Sequence, residues 1–254
     1  MSQTLETTVD DGLATVRLNR RHGNAINLDL VDELIATFHK LDADEAVRGV
    51  QLAAAGKLFS PGLDLQELIE LDRSDMARFL ERFNACILSL YTFPKPVVAA
   101  IHGHAIAGGC VLTLTADWRV LREERMIGLN EVRVGVPFPF GVAMILRESV
   151  QPRYLEEIAL YGRNYRGEEA ATVGLVHEVH AADGFEGHCR TRLESLADKD
   201  PAAFAITKRY LRAPTVERIM ADEARLEVDF LDRWFSHETR TKIHAIVDEL
   251  KGRG

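Results

Sequence analysis

The chain has 254 residues, 46% hydrophobic and 28% charged, with 31 Lys plus Arg against 39 Asp plus Glu for a net charge of −8. That length accommodates one large domain, or a domain with an appendage, and allows a sizeable core. The acidic balance excludes a general nucleic-acid surface, which needs a basic field, and no apolar run approaches the length of a membrane span.

In chain order, the opening MSQTLETTVDDG lacks a basic n-region, an apolar h-region and an Arg-rich amphipathic pattern, so a cytoplasmic location is expected. LATVRLN (13–19) alternates apolar and polar residues as a half-buried strand does. NAINLDLVDELIATFHKLDAD sets Leu30, Leu34, Ile35, Phe38 and Leu41 at helical spacing, with Asn27 or Asp29 as N-cap. VRGVQLAAA (47–55) is a second strand ending at Gly56, and FSPGLDLQEL then turns through Pro61 and Gly62 into a helix near Asp64. A helical pattern over 75–92 aligns Phe79, Leu80, Phe83, Ile87 and Leu90, closed by Pro94 and Pro96. PVVAAI (96–101) is a continuous apolar run, the mark of a strand buried on both faces. Asp117-Trp118-Arg119 reads as a structural strand start.

Beyond residue 183 the strand signal vanishes. EGHCRTRLESLAD, PAAFAITKRYLR, the piece 216–235 and HETRTKIHAIVDELK all read as helices, the last with Ile243, Ile246, Val247 and Leu250 on one face. The expected organisation is an α/β core over 1–195 and a helical region over 196–254 that packs on the core or on a neighbouring subunit. The order strand, strand, helix recurs about every 40 to 50 residues without a sequence repeat. The three cysteines, Cys86, Cys110 and Cys189, are odd in number and widely spaced, which points to reduced thiols, not a disulfide frame or a metal site.

Two glycine turns stand out. HGHAIAGGCVL (102–112) joins a strand to a helix through Gly108 and Gly109, and FSPGLDL (59–65) does the same through Gly62. The first N–H groups of a helix have no internal partner, so such turns either aim donors at a ligand or pack a helix closely on a strand. A dinucleotide fingerprint is excluded, because Gly103 and Gly108 are wrongly spaced and no acidic residue ends a suitable strand. Together, the Leu63 and Gly108 amides would form an oxyanion hole suited to an enolate-like oxygen on a thioester carbonyl. In MIGLNEV (126–132), Glu131 sits between apolar residues, where a carboxylate resists ionisation and gains basicity. His102 and His104 flank the glycine turn at the end of a buried strand and are expected to be structural.

FSPGLDL, KPVVAAIHGHAIAGGC, IGLNEVRVGV and AATVGLVHEV occur in the order and spacing of the crotonase (enoyl-CoA hydratase/isomerase) superfamily, and the resemblance runs from about residue 5 to 251. It implies a crotonase-like spiral of ββα units with a C-terminal helical region, assembled as a trimer or a dimer of trimers. It also implies acyl-CoA substrates, with the thioester oxygen held by the amides of Leu63 and Gly108, and no metal and no cofactor apart from the coenzyme A of the substrate. LNRRHGNAIN (18–27), with Arg21 and Ala25, is similar to the superfamily's first CoA-contacting loop. Ser60, Pro61, Gly62, Leu63, Asp64 and Leu65 match the second, and Asn130 matches a substrate-contacting asparagine. Hydratases of the superfamily carry a glutamate at the positions of both Val111 and Glu131, and valine can neither hold a water nor move a proton. The resemblance is therefore strongest to the Δ3-Δ2-enoyl-CoA isomerases, with Glu131 shuttling a proton from C2 to C4; a hydratase or an acyl-CoA hydrolase is the alternative. Arg20, Arg21, His22 and Lys57 are candidates for the CoA phosphates. Val136 to Phe140 would wall the acyl pocket, Asp64 would cap its helix, and Leu65, Leu68, Ile69, Met76 and Phe79, read as lying on one helix over 64–92, would bound the acyl tail.

Overall fold

A computed structural model of the chain describes residues 4–252. It begins with a hairpin, β1 (Leu5–Asp10) and β2 (Leu13–Leu18), paired antiparallel. Asp11 and Gly12 between them both take positive φ, the conformation that lets a two-residue turn follow strand twist. An irregular turn, α1 (Arg21–Asn24), leads into α2 (Leu28–Ala43). The side chain of Asn27 accepts the Leu30 N–H at 3.1 Å, so Asn27, not Asp29, is the cap. The helix buries Leu30, Val31, Leu34, Phe38 and Leu41, the stripe its spacing predicts.

Three strand pairs then repeat one device. β3 (Gly49–Ala54), β5 (Val97–Ile101) and β7 (Trp118–Arg122) lie side by side and parallel in a six-stranded sheet of order β1-β2-β3-β5-β7-β10, where β10 is Glu178–His180. Each is followed by a short strand, β4 (Leu58–Ser60), β6 (His104–Ile106) or β8 (Met126–Gly128). These leave the large sheet and, with β9 (Tyr165–Arg166), form a second sheet of order β4-β6-β8-β9. Every residue of β3 and β5 is buried, β5 as its unbroken apolar run requires and β3 with Gln51 in its middle donating to Glu186 at 3.3 Å. Because β4, β6 and β8 run parallel, the turns at their C-terminal ends emerge on one side of the small sheet. Those turns carry residues 61–64, 107–108 and 129–131.

The helices after them are α3 (Leu65–Leu68) and α4 (Arg73–Thr92), then α5 (Gly108–Leu114), then α6 (Glu131–Val134) and α7 (Phe140–Ser149). Sequence periodicity predicts one helix over 64–92; the structure breaks it, because Asp72 caps a new helix by accepting the Asp75 N–H at 2.9 Å. A π-helical turn (Glu157–Tyr161) and α8 (Glu168–Val173) lead to β10. Thereafter all is helix: α9 (Phe185–Ala197), α10 (Pro201–Trp234) and α11 (His237–Lys251). Two pieces are expected where α10 runs continuously through Pro214. Proline removes one backbone hydrogen bond, but anchors hold the helix on both sides of it. Lys208 and Arg212 reach Asp117 at 2.7 and 2.8 Å, and Thr215 and Ile219 are buried beyond. Asp117 also accepts the Val97 N–H, and the buried Arg119 donates to the Leu175 carbonyl, so this strand start is structural. The C-terminal helices pack on the core of the same chain: α9 on β3 and β5, α10 on α4 and α7, and α11 on α3 and α6.

Candidate active site

Gly62 has φ +101°, and a Cβ there would lie 2.8 Å from the Ala107 Cβ and 3.1 Å from the Gly108 nitrogen. The two glycine turns therefore abut, and residue 62 has no room for a side chain. The Gly62 carbonyl accepts from the Ile26 N–H and the Asp64 N–H donates to the Ile26 carbonyl, both at 2.8 Å. Backbone groups alternate in direction along extended chain, so the Leu63 N–H faces away from Ile26. Gly108 is the first residue of α5, and its N–H has no acceptor within the helix. Ala107, just before it, is held at φ 50° and ψ −126°, a conformation costly for a residue with a Cβ. The adjacent glycines divide the two roles open in the sequence. Gly108 lines a cavity, whereas a Cβ on Gly109 would press on Ser60, 2.8 Å from its Cβ, so Gly109 serves packing.

The cavity encloses about 480 Å³. Leu63, Gly108, Val111, Asn130 and Glu131 meet on its wall, together with Ala25, Pro61, Asp64 and Leu65. The Oε2 atom of Glu131 is buried and has no hydrogen-bond partner. Burial pushes the Glu131 carboxyl up from 4.5 to about 7, because an unpaired charge in apolar surroundings loses its hydration. Asp64, the other carboxylate on this wall, is already engaged. It caps α3 through the Gln66 and Glu67 N–H groups and takes Arg20 Nη1 at 2.7 Å. That leaves Glu131 as the carboxylate able to exchange a proton with a bound molecule. Val111, 2% exposed, contributes only hydrocarbon beside it.

Other expected residues fall elsewhere. Ser60 is fully buried behind the wall, donating to the Asn24 carbonyl and accepting from the Gly62 N–H, so it shapes the turn. Gly62 likewise lies behind the lining. Arg21 and Lys57 are exposed and outside it, whereas His22 lines the mouth. Arg20, a candidate for phosphate, is spent internally on Asp64, Glu67 and the Ala25 carbonyl. His102 bonds the Gly56 carbonyl, and His104 Nδ1 accepts the Met126 N–H at 3.0 Å; neither lines the cavity. Burial holds both imidazoles below their usual range.

Of the expected acyl wall, Val136, Phe138 and Pro139 line the cavity, but Pro137 and Phe140 do not. Of the expected tail contacts only Leu65 does; Leu68, Ile69, Met76 and Phe79 face the general core, and Leu80 and Phe83 line the cavity in their place. Phe230, Trp234, Ile246 and Leu250 also line it. Amphipathic spacing marks their helices but cannot separate a core-facing side chain from a cavity-facing one.

The profile of the enoyl-CoA hydratase/isomerase family matches residues 8–251. The chain is 27% identical over 250 residues to mouse mitochondrial enoyl-CoA delta isomerase 1, covering 97% of this chain and 86% of that protein. It is 32% identical over 193 residues to a putative enoyl-CoA hydratase of Thermus thermophilus, covering 75% and 76%. The crystal structure of human mitochondrial delta3-delta2-enoyl-CoA isomerase superposes with a TM-score of 0.94 at 26% identity, over 99% of both chains. Alternating strands in two sheets, abutting glycine turns, a near-complete profile match and this superposition lead to one conclusion: the chain belongs to the enoyl-CoA hydratase/isomerase family.

Proposed function

We propose that this chain moves a 3,4 double bond to the 2,3 position in enoyl-CoA thioesters. The observation that carries the reading is the single free carboxylate: Glu131 shares the cavity with Val111 and with the amides of Leu63 and Gly108. The thioester oxygen accepts from the two amides, which stabilise negative charge as it develops. Glu131 takes a proton from C2, a dienolate forms, and the same carboxyl returns the proton to C4. No water enters the product. A carboxyl that titrates at about 7 suits a group that must be base and then acid in one turnover. The mouse and human relatives named as isomerases support the same reading.

Hydration is the second reading, supported by the relative named as a hydratase. Val111 opposes it, because a second carboxylate to hold the attacking water is missing from that position. Incubating 3-enoyl-CoA and 2-enoyl-CoA separately in deuterated buffer separates the two. The expected result is conjugated 2-enoyl-CoA and no 3-hydroxyacyl-CoA, with deuterium entering C4 or C2 only to the extent that the proton held by Glu131 exchanges with buffer before its return. Prompt 3-hydroxyacyl-CoA from the 2-enoyl substrate would establish hydration instead, and free CoA or CO₂ would indicate a hydrolase or decarboxylase. A homotrimer in the cytoplasm completes the proposal. Exposed Leu160, Tyr161 and Val132 support the assembly, and three buried free cysteines support the reducing compartment. No helix among the described residues is long and apolar enough to cross a membrane.

A further inference from the structure

The cavity has two unlike ends. At its mouth stand His22, with 59% of its side chain exposed, and Leu250, 45% exposed. At the other end Leu80, Phe83, Val142, Phe230 and Trp234 line it, none more than 3% exposed. These five come from α4, α7 and α10, three helices remote in sequence. One side chain ties the three together: Glu223 of α10 accepts the Asn84 side-chain amide of α4 at 2.8 Å and the Gly141 N–H of α7 at 2.6 Å. Phe230 and Trp234 stack at 5.9 Å between ring centroids, one turn apart on α10. These five side chains thus make a buried apolar floor on a braced frame.

Resting on the acyl-thioester reading above, we propose that this floor gauges acyl length, with Phe83, Val142, Phe230 and Trp234 stopping the end of an uncharged medium-length chain. At about 480 Å³ the cavity sits in the lower half of the range of small-molecule sites, roughly 300–1,000 Å³. It must hold the thioester as well as the tail. Each methylene that enters an apolar pocket tightens binding about fourfold, until the chain meets a wall that cannot move. A carboxylate at the tail would be stranded, because those four side chains carry no charge and offer a single polar group, the Trp234 indole N–H, which has no partner in the structure.

The test measures affinity for saturated acyl-CoA thioesters from hexanoyl to hexadecanoyl by calorimetry, since nothing is turned over. Wild type is expected to gain about fourfold per methylene and then lose affinity sharply beyond a break inside the series. Val142→Phe is expected to move the break to shorter chains, and Phe83→Leu and Phe230→Leu to longer ones. A wild-type circular dichroism spectrum and a single cooperative thermal transition verify that each variant is folded. Monotonic tightening through hexadecanoyl-CoA, or a break that stays put in the folded variants, would overturn the gauge. Failure of 3-enoyl turnover with an intact break would overturn only the proposed isomerisation.

Discussion

Glu131 carries the sharpest consequences at the scale of single residues. Its carboxyl titrates at about 7 in the folded chain against an ordinary 4.5, so folding favours the protonated form. The sign follows directly. Below the unfolded value both states are neutral and nothing is lost, and as pH rises from 4.5 through 7 the buried charge costs stability, up to roughly 3 kcal/mol. Glu131→Gln should therefore raise the melting temperature at pH 8 relative to wild type, with the gain fading toward pH 5. The same substitution should lower kcat by about 10²–10⁴-fold while leaving acyl-CoA affinity nearly unchanged, because only proton transfer is removed. In wild type, kcat/KM should fall as pH drops through about 7, since the base must be ionised to accept a proton. An E131Q enzyme with wild-type turnover would place this residue outside the chemistry. Glu131, Leu63 and Gly108 are legible in sequence because glycine turns and a carboxylate among apolar residues are local signals. Arg20 is not legible. In sequence it belongs to a basic loop, and only folding brings Asp64 and Glu67, more than forty positions away, against it.

At the scale of elements, the joint between β4 and α5 sets how closely the two donor turns approach. Gly109 has no space beside Ser60, so Gly109→Ala must push α5 off the strand. The expected cost is roughly 1–3 kcal/mol in urea unfolding, with a larger loss of activity than of stability, since displacement of α5 moves the Gly108 N–H. Gly187 is the control: it lies inside α9 with nothing within 4 Å of an added Cβ. Gly187→Ala should stabilise by roughly 0.5–1 kcal/mol without changing activity, as helix propensity alone is improved. Equal effects of the two substitutions would refute the packing account. Helix existence was readable here, but boundaries less so. The break at Asp72 and the continuity through Pro214 were not foreseen, since a second cap and a pair of remote ion pairs outweigh periodicity and proline chemistry.

Across the whole molecule, α6, which begins at Glu131, lies against the π-helical turn, and together they expose three large apolar side chains beside Arg133. Val132, Leu160 and Tyr161 are 36%, 69% and 76% exposed, and a Cβ on Gly162 would touch the Val132 side chain at 2.8 Å. Adjacent exposed apolar groups favour association. Sedimentation equilibrium is expected to give three times the chain mass, and the paired substitutions Leu160→Asp and Tyr161→Asp are expected to give monomers with reduced turnover, because α6 loses its support. A monomeric wild-type protein would remove this surface from the account. The ββα order, the apolar central strands and the wholly helical C-terminal region are set by short-range patterning, which the amino-acid order alone determines: strand alternation, helical stripes and glycine turns all act within a few residues. The cavity's floor, the neutralisation of Arg20 and the isolation of Glu131 from every other charge were decided only in three dimensions. Each depends on which remote side chains are brought together where α10 packs on α4 and α7 and α11 on α3 and α6, and it is burial in the folded chain that raises the Glu131 carboxyl.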